Sequence, residues 1–351
     1  MLVRVAPLLV ILGILVVPLC FGCGALGLEE TDLPHTENYS VSQDTAVTVL
    51  NGNINGAIKV EAWGKDYVEL TWTRKTTWGK SELDKAEVNV TQVAGRLDIE
   101  GKLLSKDAKV SVDYEIKIPR NTLLTKVTSG DGNIRITGTS GDTVITAGLG
   151  NISVQNTAGY LDITAEKGKI RLEGTTGGAK LTTADDVIEV ASADGDINAT
   201  NSNGGITIND CKGNMTLETS HGEVRVSNLQ GCVLLATTTS APITIRQATA
   251  VEVAETSNDK VVAEFSSVGV NGTTIKVNGG SISLYLSSDI NADIELIASS
   301  GDIATHSFWG MTTSDDTTEG HLKGTIGVGG NKIYVETSKG NIDLFRSEDS
   351  P

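Results

Sequence analysis

The sequence predicts an all-β chain wound into a single-stranded β-helix, or β-solenoid, of nine-residue strand–turn units paired into 18-residue coils and closed by strand-rich caps. Three observations carry this. Glycine recurs every nine residues at Gly132, Gly141, Gly150, Gly159, Gly168, Gly177, Gly195, Gly204, Gly213, Gly222 and Gly231, interrupted at Asp186. The third and fifth residues of the units are mainly aliphatic, as in Ile134 with Ile136 or Ile170 with Leu172; two apolar sites one residue apart mark a short strand with one buried face. A second period of 18 shows at the sixth residue, which is Thr146, Thr164, Thr182 and Thr200 in alternate units and Thr137, Gln155, Glu173 and Ala191 in the others.

Each part of the chain follows from its pattern. Residues 1–22 carry Arg4 and then the apolar run Val5–Leu19, the form of an export signal. The segment Cys20-Phe21-Gly22-Cys23 resembles a bacterial lipobox with Cys23 as the lipid-bearing residue, although Cys20 stands where such signals favour Leu. The uncharged stretch from Val5 to Leu28 is also long enough to span a bilayer, which takes roughly 20 residues, and simple removal of the signal is the third outcome. All three put the body outside the cytoplasm: membrane-anchored in the first two, secreted in the third. Residues 23–40 then read as the anchor cysteine and a tether.

Residues 41–130 form a strand-rich N-terminal cap, with alternation over Ala46–Leu50, Ile58–Ala62, Tyr67–Arg74, Ala86–Val93, Arg96–Glu100 and Val110–Ile118. The regular solenoid occupies 131–248. In it the glycine supplies the turn, where a positive φ is sterically cheap. Twelve units make six coils, rising ~29 Å at ~4.8 Å per stacked strand. An antiparallel sandwich also spaces strands by about 8–12 residues, but its strands have no reason to stay in phase over the whole repeat. Residues 249–351 continue as strands and a cap, interrupted by a loop at Ala304–Lys323.

Composition bounds the function. The 351 residues include 28 basic and 44 acidic side chains, a formal charge of −16, which disfavours nucleic acid because phosphate binding depends on clustered Lys and Arg. Four cysteines are too few for a disulfide scaffold, and the register leaves open whether Cys211 and Cys232 pair.

Beyond these features, Gly132-Asn133-Ile134-Arg135-Ile136 with its nine-spaced echoes, Ile118-Pro119-Arg120 leading into Val127-Thr128-Ser129-Gly130, and Ser299-Ser300-Gly301-Asp302-Ile303 resemble the bacterial putative-adhesin family of β-strand repeats, or toastrack domains. The ending Gly327-Val328-Gly329-Gly330-Asn331-Lys332-Ile333-Tyr334-Val335-Glu336-Thr337, with Gly340-Asn341-Ile342, is similar as well. The resemblance covers about residues 45–345. It implies a β-helix-like fold on exported or envelope-attached proteins and brings no catalytic residues with it.

No catalytic signature stands out. Gly79-Lys80-Ser81 lacks the earlier glycine of a phosphate loop, since Arg74 occupies that position. A calcium-binding β-roll needs a column of carboxylates, yet the register reads Leu149, Lys167, Asp185, Asn203, His221 and Thr239. Asp185, Asp186, Asp194 and Asp196 are left as a cation candidate against the plainer reading of a solvated acidic turn. Outward Arg135, Arg171, Glu173 and Glu189 imitate a lyase or hydrolase face but fit mixed surface charge better. Trp72 and Trp78 accompany Trp63 and Tyr67, of which Trp72 reads as core. The candidate ligand surface is Trp63 and Tyr67, with Phe308 and Trp309 beside Met311 in the long loop. His306, His321, Asp315, Asp316 and Glu319 share that loop without a known ligand spacing. The reading is a non-enzymatic, cell-envelope-attached adhesin-like interaction module without cofactor or metal, whose partner is an envelope or surface protein or glycan. An envelope-stress sensor binding a partner protein is the alternative, and a glycan-active β-helix enzyme the third.

Overall fold

The computed structural model describes residues 29–52, 54–306, 308, 310–315 and 318–350. The export segment and Cys23 lie outside them. The described chain is all β, in one long and mostly parallel sheet bent into stacked turns.

Parallel pairing follows the repeat. Ile134 pairs with Ile58 and Ile152, Ile152 with Ile170, Ile170 with Ile188, Ile188 with Ile206, and Ile206 with Val224. This is ladder A. Facing it, ladder B joins Val127 to Ile145, Ile163, Leu181, Ala199 and Leu217 in succession. In the regular region partners stand one coil apart in the chain, so like lies on like, and the inward aliphatic residues of both ladders are buried. A third, narrow ladder of single bridges runs through Ser140, Ala158, Thr176, Asp194, Lys212 and Gln230. It widens where Val224–Thr238, Ile243–Val251 and Val261–Val268 become long bent strands.

Glycine is required here for a reason that the spacing alone does not reveal. Gly141 and Gly159 do have positive φ, 108° and 115°. Gly132, Gly150, Gly168, Gly204, Gly222 and Gly231 do not. At each of these six, a Cβ would overlap the carbonyl of the matching residue one coil below, as Gly150 would on Gly132 and Gly168 on Gly150. Stacking distance, rather than turn conformation, excludes a side chain there. The left-handed conformation belongs to a different column, which includes Gly138, Asn156, Gly174, Ser192, Asp210 and Asn228.

Corner carbonyls turned away from the ladders need donors. A buried polar column supplies them: the hydroxyls of Thr183, Thr219 and Thr238 donate to the carbonyls of Gly168, Gly204 and Gly222 at 3.0–3.1 Å. The Asn201 amide donates to the Asp186 carbonyl where the glycine column is interrupted.

The two ends depart from chain order in the same way. At the N-terminal end, Ala46–Asn51 lies between Arg96–Leu103 and Leu123–Ser129, and Ile58–Trp63 between Ser111–Pro119 and Ile134–Thr137. At the other end, Lys332–Thr337 inserts between Thr273–Val277 and Ala292–Ala298. Ile342–Arg346 likewise inserts between Ile282–Leu286 and Ile303–Ala304. The first and last coils in sequence are therefore second from the end in space. Antiparallel strands then cover the outer coils: Tyr67–Thr76 and Ala86–Val93 at one end, His321–Ile326 at the other.

Two expectations change. The segment expected as a tether contains strands Glu30–Thr31 and His35–Ser40, both paired antiparallel to Tyr67–Thr76. The loop expected at Ala304–Lys323 contains Met311–Thr313, which forms a hairpin with His321–Ile326.

Candidate interaction surface

Strand alternation sends every second residue of each ladder inward and the residues between them to solvent. On ladder A the outward side chains form a connected polar row. Arg135 donates to Gln155 at 3.3 Å, Gln155 to Glu173 at 3.2 Å, and Arg171 binds Glu173 and Glu189 at 3.2 and 3.5 Å. Lys169 closes on Glu189 at 2.5 Å. Both carboxylates are thus tied to cations, Glu189 to those of the neighbouring coil. On the outward side of the facing ladder B, Thr128, Thr146, Thr164, Thr182 and Thr200 stand in register on successive strands. Each ladder thus presents its own long polar row.

Trp63 and Tyr67 do come together, edge to face with ring centroids 5.0 Å apart, and the Trp63 indole N–H donates to the Tyr67 carbonyl. Their faces are already engaged. Lys65 sits 4.5 Å from the Trp63 ring and 5.2 Å from that of Tyr67, and Lys117 lies 5.3 Å from Trp63. Glu69, bonded to Lys117 at 2.7 Å, holds that ammonium above its usual range. Trp72 packs against the core and stacks on His35, while Trp78 is exposed.

Phe308 offers no ligand surface: it is buried in the core cluster at the C-terminal end. A polar loop needs an apolar anchor, and Phe308 provides it. Trp309 and Asp316 lie outside the described residues. His306 and His321 are held apart from each other, bonded to Asp343 at 2.8 Å and to Glu295 at 2.9 Å. Among the described residues no group of His, Cys, Asp and Glu is arranged to hold a metal. The acidic run has partners of its own: Asp185 accepts from Asn203, Asp186 from the Val187 amide, Asp194 from Lys212, and Asp196 from the Asn214 amide. Cys211 and Cys232 are free thiols, and burial pushes both up, Cys232 to about 11.

Two clusters escaped the sequence reading. One is a stack along ladder A in which Arg246 covers Tyr285 at 4.8 Å, Tyr285 stacks on Phe345 at 4.9 Å, and Phe345 on His306 at 4.2 Å. Its signal was the shared register of Leu284-Tyr285 and Leu344-Phe345, hidden because the paired strands lie far apart in the chain. The other centres on Glu295. Lys332 at 2.5 Å and His321 at 2.9 Å hold its carboxylate down at about 2, with Lys323 at 3.8 Å. Those residues come from three strands: His321–Ile326 pairs with Ala292–Ala298 on one side, and the inserted Lys332–Thr337 brings Lys332 from the other.

The family model described as Toastrack DUF4097 matches residues 43–264 and 188–344. No curated protein matches the chain. Similar solved structures include a putative cell adhesion protein from Clostridium sporogenes, 11% identical, with 90% of this chain and 100% of that one covered at a TM-score of 0.26. Putative adhesins from Bacteroides fragilis and Parabacteroides distasonis are 14% and 13% identical, each with 89% of this chain and 97% of the other covered at a TM-score of 0.28.

Proposed function

The chain belongs to the Toastrack DUF4097 family, and from that premise we propose that it is a non-enzymatic, adhesin-like interaction module displayed on the outside of the cell envelope. The 18-residue coil is its modular unit. The observation that carries the reading is the flat polar row on ladder A, in which Arg135, Gln155, Glu173, Arg171 and Glu189 are bonded from coil to coil. A rigid surface of this kind binds through many weak contacts added together, and each repeat adds another.

Anchoring at Cys23, or by the uncleaved apolar segment, leaves the stack outside the membrane as a standing rod. The partner is an envelope or cell-surface protein or glycan. The stretch 251–351, with 15 acidic against 6 basic side chains, favours a basic or cation-bridged surface over an anionic polymer. Two experiments test this. Native intact mass is expected to show a mature chain beginning at Cys23 with a diacylglyceryl thioether; a lipid-free N-terminus elsewhere overturns the lipid anchor. Purified protein is expected to bind intact cells or envelope fractions, more weakly at high salt, and to release no reducing ends from polysaccharides. Cleavage lost on substitution of a surface carboxylate pair overturns the non-enzymatic reading. Specific capture of a signalling protein, with no envelope binding, overturns the adhesin-like one.

A further inference from the structure

The edge strand Ala86–Val93 closes ladder B at the N-terminal end, and we propose that it is a strand-addition site for an extended peptide segment of another protein, with apolar and basic side chains in alternation. Natural sheets blunt their edges with short strands, proline, bulges or lysine. Glu30–Thr31, Ile303–Ala304 and Met311–Thr313 are two or three residues long. Ala86–Val93 has eight residues, no proline or glycine, one charge at Glu87, and an unbroken register with Arg96–Leu103 on its inner side. Among the described residues no strand pairs with its outer side.

The surroundings form a slot one strand high. On the facing ladder the sheet continues for one strand more, because His35–Ser40 covers Tyr67–Thr76. The layer beside it on ladder B holds no described strand. The short helix Lys80–Lys85 stops the slot at one end. At the other, the Gln92 amide donates to the Ser40 carbonyl. About six residues fit between these stops, roughly 20 Å of extended chain.

Side-chain chemistry selects the occupant. Val88 and Val90 face the core yet are only half-buried, so apolar side chains on alternate positions of an added strand would complete their cover. On the outer face the rows of the hairpin read Glu87 beside Lys102, Asn89 beside Glu100, Thr91 beside Asp98 and Val93 beside Arg96, with Asp98 bonded to Arg96 at 2.7 Å. Glu87 on the edge strand itself and Glu100 one strand further in are the carboxylates that basic residues on the added strand complement. A second copy is a worse fit: His35–Ser40 projects one strand beyond the edge, where a partner's whole sheet would have to pass. The proposal goes beyond envelope binding and does not depend on it.

The test uses the full chain in detergent and a labelled synthetic peptide, acetylated and amidated, of sequence Val-Lys-Val-Lys-Val-Thr-Val, followed by fluorescence anisotropy. The expected result is binding at least ten-fold tighter than that of a scrambled peptide with its valines adjacent, and than that of the Val-Glu counterpart. Asn89→Lys with Thr91→Lys, both on the exposed outer face, is expected to weaken it at least ten-fold, while Asn198→Lys on the outer face of a middle coil leaves it unchanged. Circular dichroism establishes that the variants fold. Equal binding of alternating and scrambled peptides, or no effect of the edge substitutions, overturns the proposal. Dimerisation without peptide that those substitutions abolish overturns the choice of occupant.

Discussion

The middle coils and the two ends of this solenoid obey the same stacking rule but not the same chain order. From Ile134 to Val224 each strand of ladder A pairs with its counterpart in the next coil of the sequence. At the C-terminal end Ile282 pairs instead with Ile342, because the chain builds the outermost coil first and then returns to fill the gap beneath it. Ala46–Asn51 shows the mirror arrangement at the start, lying beneath a coil made later. A stack closed in chain order would leave its terminal residues as its outermost, least protected strands. Here the first and last parallel coils have neighbours on both sides, and His35–Ser40, which precedes the first coil in the chain, is laid antiparallel over Tyr67–Thr76 as the outermost strand of its end. The difference teaches that end protection in a repeat protein can come from topology as well as from polar capping.

Matched cavities put the comparison under the most strain. Leu172 lies in a middle coil and Leu344 in the last coil of the sequence; both are fully buried. Leu172→Ala and Leu344→Ala are expected to cost about 3 kcal/mol each in denaturant unfolding, within the usual range of about 2–5. A frayed end would reduce the second to well under ~1 kcal/mol. Stacking distance comes next. Gly150→Ala is expected to cost about 3 kcal/mol, since its methyl group would overlap a backbone carbonyl. Gly64→Ala, with open space around it, should stay within about 0.5 kcal/mol of wild type. Thr183→Val removes the donor to the Gly168 carbonyl at 3.0 Å and should cost about 1–2 kcal/mol by leaving a buried acceptor unpaired.

The smallest effect depends on pH and belongs to the C-terminal end. Lys332 and His321 lower the Glu295 carboxylate from 4.5 to about 2. A depressed folded-state value stabilises above the unfolded one and is lost as pH falls through the folded one. The difference in thermal midpoint between wild type and Glu295→Gln should therefore be full at pH 7, shrink below pH 4.5 and vanish near pH 2. A difference that stays constant across that range would take Glu295 out of the account.

The middle of the molecule was legible because its register is written in the sequence: Ile134, Ile152 and Ile170 are both landmarks of the repeat and actual partners. The flanking strands were legible one by one from alternation, but their order was not. No period connects Thr274 to Tyr334, and pairing between segments so distant in the chain leaves only ordinary strand composition at each. Glycine was found correctly but for half of the reason, since φ is a property of one residue while overlap between coils involves two. The polar column of Thr183, Thr219 and Thr238 could not be read from the sequence as a set of donors, because the carbonyls that it serves carry no sequence signal. Among candidate site residues, Trp63 and Tyr67 were placed together by nearness in sequence, whereas the burial of Phe308 in the core cluster had no periodic pattern to announce it. Arg246, Tyr285, Phe345 and His306 meet only once the last coil is in place.

Interleaving of the terminal coils is most directly tested by disulfide mapping. Thr274 and Glu295 each pair with Tyr334, on opposite sides of it. Paired cysteines at adjacent positions of neighbouring parallel strands, about 4.8 Å apart, fall within disulfide range. Under mild oxidation, Thr274→Cys with Tyr334→Cys and Glu295→Cys with Tyr334→Cys are each expected to form the cross-link, identified by peptide mass. Thr274→Cys with Glu295→Cys, two strands apart, is expected to stay reduced. Ready cross-linking of 274 to 295, with 334 joined to 295 alone, would show coils stacked in chain order and contradict the account.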